Sequence, residues 1–339
     1  MAYESPCSDD RILWDLHLSA FWLPSVLVAD ELGVFVQLAE EPQDAAMLAR
    51  RLGASEHGLD AILPLLASLG FLTRHGGRFQ LTAAARDFLL PESPYYWGPV
   101  LEGFRSRRFT YERLREKLRP PAATPALLDG PGGSWESGQL DEATARGVAR
   151  YMHSHSLSAA QGVARLGDFS GVRWLLDVGG GSGCFSIALA QRHPGLRCTV
   201  MELGAMCALV PEYAREAGVD RVDTVTIDMF RETWPRGHDA VFLSNVLHDW
   251  SRETCADLLA RCAASLPAGG RIYLHEMLLS ENLDGPRTAA AFSVQMLAGT
   301  RGQQFTFGQL AALLKNAGFT DVCVESTHAY YSLLRATKR

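Results

Sequence analysis

The feature that most constrains this chain is a glycine run, Asp177-Val178-Gly179-Gly180-Gly181-Ser182-Gly183. It lies between an apolar strand-like segment (Trp174, Leu175, Leu176) and the helix-like segment CFSIALAQRH. Glycines after a first strand allow a tight turn and close approach of a ligand to the backbone, as in nucleoside sites of open α/β sheets. The next apolar run ends in Glu202, 19 residues beyond Gly183, where a carboxylate can accept both hydroxyls of a ribose. Strand, glycines, helix and acidic strand end together predict a nucleoside cofactor. A dinucleotide is the weaker alternative, because the spacing is GxGxG rather than GxGxxG and Asp177 would repel a pyrophosphate. An Asp there suits a cationic amine. S-adenosylmethionine (SAM) offers an α-amino group, a ribose diol and no phosphate.

The pattern around this run sets the fold class. From Val172 onward, short β-rich runs alternate with helices: residues 173–178, then helix 184–192; 197–201, then helix 205–217; 222–227; 240–244, then helix 252–266; 271–274; and helix 306–317. Repeated β-α units predict a mostly parallel, Rossmann-like sheet with helices on both faces. Two final runs, 322–325 and 331–336, have no helix between them and should pair as an antiparallel hairpin.

The first 170 residues read as helices broken by turns. Apolar residues from Ile12 to Val34, including Leu16, Phe21, Trp22 and Leu27, are too dense for a one-faced surface helix, and Pro24 places a kink or boundary within the run. Such a segment needs covering, and an identical subunit is the simplest candidate. Helices 45–52 and 59–69 around Gly53-Ala54-Ser55, then two short strands about Gly76-Gly77, make a winged-helix pattern. The second helix, LDAILPLLASLG, carries no Arg or Lys to meet base edges or phosphates, so packing or dimerisation is favoured over DNA binding. Residues 120–138, rich in Pro and Gly, form a linker-like stretch before a helix from Asp141 to about Leu166. The expected domains are therefore 1–119, helical and winged-helix-like; 120–170, linker and connecting helix; and 171–339, cofactor-binding.

Composition narrows the partners. Of 339 residues, 47% are hydrophobic and 21% charged, as in globular proteins. A net charge of −6 leaves no overall basic field for nucleic acid or an anionic membrane. Seven cysteines, odd in number and without a CxxC pair, read as reduced thiols. The N-terminal MAYESPCSDD has neither a basic nor an apolar signal region, so a soluble, cytoplasmic protein is expected.

Further candidates sit at the carboxyl ends of successive strands. Asp228 and Met229 follow VDTVTI, where the carboxylate could reach an adenine amino group and Met229 could pack on its ring. The next strand, DAVFLSNVLHDW, places Ser244 for the cofactor and Asn245 for an acceptor, and Trp250 to cover the adenosine. His248 and Asp249 face the same crevice. Lone histidines are usually structural, but imidazole at this edge titrates near neutrality and can take a proton from a phenol or activated carbon acid. His248 is favoured as a general base. His153 and His155, spaced i and i+2, point to different faces of their helix and cannot form a close metal pair. Arg105, Arg107 and Arg108 form the most basic local patch, read as solvated surface rather than as a substrate-carboxylate contact.

These stretches resemble a known family, the plant-type small-molecule O-methyltransferases and their bacterial natural-product relatives. The matching segments are DVGGGSG, MELG, IDMF, LHDW with a helix after it, LPAGGRIYLHEML and AGFTDVCVESTHAYYSLLRA. The likeness continues upstream through the winged region and covers almost the whole chain. The resemblance implies that Asp177, Gly179, Gly181, Gly183 and Glu202 bind SAM, with Asp228 and Met229 at the adenine and S-adenosylhomocysteine (SAH) as product. It implies that His248 is the base, flanked by two acidic residues. The first matches Glu276, whereas Gln304 stands where the second, a Glu, is expected. Ser293 replaces an Asp near Met296. The resemblance also points to Met152 and His155 as acceptor contacts, alongside Met296 and Gln304. Relatives acting on 2-keto acids hold a metal with a second His near position 295, which is Gln here, so no metal is expected.

The expected protein is a homodimeric SAM-dependent methyltransferase acting on a hydroxyl of a small aromatic secondary metabolite, such as an antibiotic precursor. C-methylation of an aromatic or keto-acid acceptor is the alternative. A SAM-sensing winged-helix regulator is a more distant one.

Overall fold

A computed structural model describes residues 11–106 and 131–339. Cys7, Arg107, Arg108 and residues 120–130 lie outside the described residues. The chain divides into two compact units, residues 1–107 and 108–339.

In the first unit, the dense apolar run becomes three helices: α1 (Arg11–Ser19), α2 (Trp22–Glu31) and α3 (Val34–Glu40). Pro24 falls in the first turn of α2, where a missing N–H removes no helical bond, and Gly33 (φ 78°) turns the chain into α3. Side-chain caps start the next two helices. Asp44 accepts from the Met47 N–H for α4 (Ala45–Leu52), and Ser55 from the Gly58 N–H for α5 (Glu56–Ser68). The wing is β1 (Leu72–His75) paired antiparallel with β2 (Arg78–Leu81), followed by α6 (Ala83–Phe88) and α7 (Gly98–Ser106). Phe35, Leu38, Leu48, Leu63, Leu66 and Leu72 fill the core. Ile12, Leu16 and Phe21 do not share it and stand 76%, 69% and 59% exposed.

The described part of the second unit begins with α8 (Pro131–Ser137), so the described part of the Pro/Gly-rich stretch is helical rather than open linker. Helix α9 (Glu142–Leu166) follows, capped by Asp141 on the Thr144 N–H. A seven-stranded sheet has the order β5-β4-β3-β6-β7-β9-β8. The parallel strands are β3 (Trp174–Val178), β4 (Arg197–Glu202), β5 (Val222–Thr226), β6 (Ala240–Ser244) and β7 (Arg271–Met277). The expected hairpin, β8 (Phe319–His328) with β9 (Tyr331–Lys338), joins β7 antiparallel. Strand order reverses at β3, which lies between β4 and β6, and this is where open sheets form a ligand crevice.

Period-two alternation sends side chains to two cores. Val241, Leu243, Ile272 and Leu274 meet Leu258 and Leu259 of α13 (Arg252–Ser265) and Leu310 and Leu314 of α15 (Phe307–Asn316). Phe242 and Tyr273 meet Ala160 and Val163 of α9 and Ala188 and Leu189 of α10 (Cys184–Arg192). The single helix expected over 205–217 is instead α11 (Gly204–Cys207) and α12 (Val210–Glu216), because Pro211 lacks the N–H to continue a ladder. Strand β7 runs three residues past Leu274, paired as far as Met277 with Tyr331. Helix α14 (Arg287–Gly299) carries Met296. Among the described residues no single helix is long and apolar enough to cross a membrane.

Candidate active site

The glycine loop is built from residues that only glycine can supply. Gly179, Gly181 and Gly183 have φ of 66°, 58° and 76°, the left-handed region that penalises a Cβ. A Cβ on Gly180 would stand 2.7 Å from the Asp177 carboxylate, whereas one on Gly181 would meet nothing within 4 Å. Asp177 itself is buried, accepts a 2.6 Å hydrogen bond from the Ser186 hydroxyl, and has its pKa pushed up to about 6 by burial. Its carboxylate thus ties the end of β3 to Ser186 of α10 and is not among the cavity-lining groups.

The cavity at the strand ends is lined by Gly179, Met201, Glu202, Asp228, Met229, Phe230, Asn245, Asp249 and Trp250, with Met152 from α9 and Trp135 from α8. Glu202, at the end of β4, accepts the Leu203 N–H at 2.7 Å, and burial raises its pKa to about 7. Both oxygens of Asp228 are engaged, one by the Phe230 N–H (2.9 Å) and one by Arg231 (2.6 Å). Trp250 meets Phe230 edge-on at 4.6 Å. Asn245 (φ 54°) sends its Nδ2 to the Tyr331 hydroxyl, 3.3 Å away, and leaves a buried Oδ1 without a partner. Ser244 does not line the cavity, because its hydroxyl lies 2.9 Å from Nδ1 of His275.

These groups fit SAM. The loop is open above Gly181, the orphaned Asn245 oxygen awaits a donor, Glu202 can take a diol, and Met229, Phe230 and Trp250 form a wall for a flat ring. None of the described lining residues is Lys or Arg, while three are carboxylates, which favours a cationic ligand over a phosphate. A second depression, lined by Arg252, Glu281, Leu283 and Gln309 among others, contains neither the glycine loop nor the strand-end carboxylates.

His248 lies in a short 3-10 turn, Leu247–Asp249, just past β6. Its ring is buried and packs edge-on against Phe292 at 5.0 Å. Nδ1 is 2.8 Å from Oε2 of Glu276 and 3.2 Å from the amide nitrogen of Gln304. The Glu276 contact is an ion-pair approach rather than an aligned hydrogen bond, since Oε2 completes none among the described residues. On the far side, Nε2 is 3.9 Å from Oδ1 of Asp249, beyond hydrogen-bonding reach. Burial disfavours the imidazolium, but the charges of Glu276 and Asp249 outweigh it and hold the pKa above the ordinary imidazole value. Burial in turn raises Asp249 to about 6.

The two departures from the family pattern touch each other: the Gln304 N–H donates to Ser293 Oγ at 3.1 Å. Gly302 is a residue that sequence reasoning passed over. A Cβ there would stand 2.0 Å from the His248 carbonyl oxygen, so only glycine lets this segment back the 3-10 turn. The Arg301 N–H donates to the Asp249 carbonyl at 3.1 Å.

Elsewhere the expected contacts divide. Met152 reaches the cavity; His155 and Met296 are not among its lining residues. His155 lies edge-on to Tyr151, and burial lowers its pKa to about 4, with His248 adding to the lowering. His153 faces away from it, with Nδ1 2.9 Å from the Ser182 hydroxyl and its ring stacked on Tyr213. Arg105 is committed to Asp30 at 2.6 Å within the first unit. Trp135, Phe230 and Arg301 were not singled out from the sequence; Trp135 lay inside the stretch read as linker.

Comparison with known proteins agrees with this geometry. Residues 128–320 match the O-methyltransferase domain family, and residues 15–91 the O-methyltransferase dimerisation domain. A 3-hydroxy-5-methyl-1-naphthoate 3-O-methyltransferase of Streptomyces sahachiroi is 35% identical, over 92% of this chain and 90% of the relative. A mitomycin biosynthesis 6-O-methyltransferase of Streptomyces lavendulae is 30% identical over 90% and 87%. The solved structure of human N-acetylserotonin methyltransferase in complex with SAM superposes with a TM-score of 0.81 and 26% identity, covering 99% of each chain. The chain belongs to the O-methyltransferase family and is a SAM-dependent methyltransferase acting on small molecules.

Proposed function

We propose that this enzyme methylates a hydroxyl of a small aromatic natural-product intermediate, with His248 as general base. The observation that carries the reading is the asymmetry of His248: Nδ1 faces Glu276, while Nε2 lies beyond hydrogen-bonding reach of Asp249. A carboxylate at Nδ1 favours the tautomer with the proton there and the lone pair on Nε2, with the Gln304 amide turned so that its otherwise unpartnered oxygen, and not its nitrogen, faces that proton. That lone pair takes the acceptor's hydroxyl proton, and Glu276 stabilises the imidazolium formed.

When bound, SAM supplies an electrophilic methyl group on a sulfonium. In this reading Glu202 accepts the ribose hydroxyls, and the Asn245 oxygen receives a donor. Gly179, Gly181 and Gly183 admit the ligand to the backbone, and Met229, Asp228 and Trp250 enclose the adenine. Asp177 and Ser244 act through Ser186 and His275 rather than by contact. Met152, His155, Met296 and Gln304 shape the acceptor side. Holding the hydroxyl in line with the methyl group supplies much of the rate. One relative's named acceptor, a hydroxynaphthoate, and the other's place in mitomycin biosynthesis support an aromatic natural-product class. Incubation with methyl-labelled SAM and a panel of naphthols and hydroquinones should place label on oxygen; label recovered only on carbon would contradict the reading.

Residues 1–119 serve assembly on this view, 120–170 connect and contribute the acceptor wall, and 171–339 hold the cofactor. The match to a dimerisation domain and the exposed Ile12, Leu16, Phe21 and Trp22 support a homodimer, and a cytoplasmic location belongs to the same reading. Light scattering at micromolar concentration should report twice the 37.1 kDa chain mass, and a stable monomer would refute it.

A further inference from the structure

One wall of the cavity comes from outside the strand-end motifs. Trp135, on the seven-residue helix α8, lines the cavity together with Asp228, Phe230 and Trp250. Its sequence, PGGSWES, has two glycines and a proline and little intrinsic helix preference, so tertiary contacts must hold it. Two arginines supply them. Arg301 makes a two-pronged contact with the next residue, Glu136, Nε to Oε1 at 3.1 Å and Nη2 to Oε2 at 3.3 Å. Its own backbone N–H is bound to the Asp249 carbonyl, beside His248.

From another direction, Arg231 donates to the carbonyls of Ser137 (2.8 Å) and Glu136 (3.2 Å), the acceptors that a helix leaves unpaired at its C-terminus. The same guanidinium binds Asp228 at 2.6 Å. Gly138 (φ 72°) makes the approach possible, because a Cβ there would lie 2.5 Å from Arg231 Nη1 and 2.7 Å from Asp228 Oδ2. Each arginine therefore ties α8 to a loop that also carries a cavity carboxylate, Asp228 in one case and Asp249 in the other.

We infer that Arg301, paired with Glu136, and Arg231 are positioning residues for the methyl donor: they seat Trp135 as a wall of the SAM cavity. The inference rests on the SAM assignment above. Trp135 adds a flat apolar surface to the one formed by Met229, Phe230 and Trp250, and a ring-bearing cofactor gains from it only while α8 stays in place. The Arg301–Glu136 pair is about a third exposed on both sides, so it should weaken as ionic strength rises.

Charge exchange tests the clamp. SAH binding is measured by calorimetry on the full chain for wild type, Arg301→Glu, Glu136→Arg and the exchanged double variant. Each single reversal combines a lost pair with like-charge repulsion and should raise the SAH Kd by about tenfold. The double variant should return to within about threefold of wild type, and KM for SAM should follow Kd while kcat changes less. Trp135→Phe should remove part of the SAH-induced change in tryptophan fluorescence. If a reversal variant does not fold, Arg301→Gln and Glu136→Gln give the same comparison: two interacting partners give a double variant no weaker than either single one. The proposal is overturned if the single variants bind SAH like wild type, or if the exchanged double variant binds no better than the singles. A wild-type protein that fails to bind SAH at all would instead remove the SAM assignment on which the proposal stands.

Discussion

The two ends of the crevice are built on opposite plans. At the cofactor end the carboxylates and the glycine loop are anchored by their own neighbourhood, Glu202 by the next backbone N–H, Asp228 by Phe230 and Arg231, and the loop by the Gly183 N–H on the Gly180 carbonyl, while Trp135 and Asn245 are held from farther along the chain. At the end proposed as catalytic, His248, Glu276 and Gln304 come from the turn after β6, from β7 and from the segment before α15, and two of them meet at one imidazole nitrogen. Locally anchored groups can be lost one at a time. Groups that share a nitrogen cannot, so substitutions should act independently at the first end and jointly at the second.

The sharpest break between the two ends is His248→Ala. It should lower turnover by about 100-fold to 10,000-fold and leave SAM affinity nearly intact, because a base acts in the transition state and not on the donor. Stopped assays with SAM titration separate the two effects, and a parallel loss of SAM affinity would erase the distinction. Glu202→Ala tests the other end and should weaken SAM binding by about 1–3 kcal/mol, the range for a lost hydrogen bond to a charged group. Calorimetry showing unchanged affinity in a folded variant would remove Glu202 from the ribose. The smallest expected effect belongs to Gln304→Glu, which adds a second carboxylate at Nδ1. It should move the acidic limb of the rate profile to higher pH, since another negative charge favours the imidazolium.

The same contrast explains what could be read from the residues in order. The glycine run, Glu202 and Asp228 were legible because each is a local signal at the end of an apolar strand. His248 was legible as a histidine at that edge. That Glu276 and Gln304 flank His248 came from the resemblance alone, and that they converge on Nδ1 is seen only in the structure. Asp177 and Ser244 were placed at the correct strand ends, but one carboxylate turned to Ser186 and one hydroxyl to His275. Neither choice leaves a trace in spacing. Helix α8 read as linker because Pro131, Gly132 and Gly133 oppose helix locally, and the arginines that hold it lie far along the chain. Arg105 reads from the sequence as solvated surface because its partner Asp30 is distant along the chain.

The most direct test of the central claim is the pH dependence of kcat/KM for wild type and His248→Ala, measured side by side. Only neutral imidazole can accept a proton, and Glu276 and Asp249 together overcome burial to hold the His248 pKa above its ordinary value of about 6.5. Wild-type kcat/KM should therefore fall as pH drops through a limb lying above that value, and the limb should be missing from the slow residual activity of His248→Ala. Similar rates with the same acidic limb in both enzymes would contradict the account, and would mean that the acceptor arrives ionised or loses its proton elsewhere.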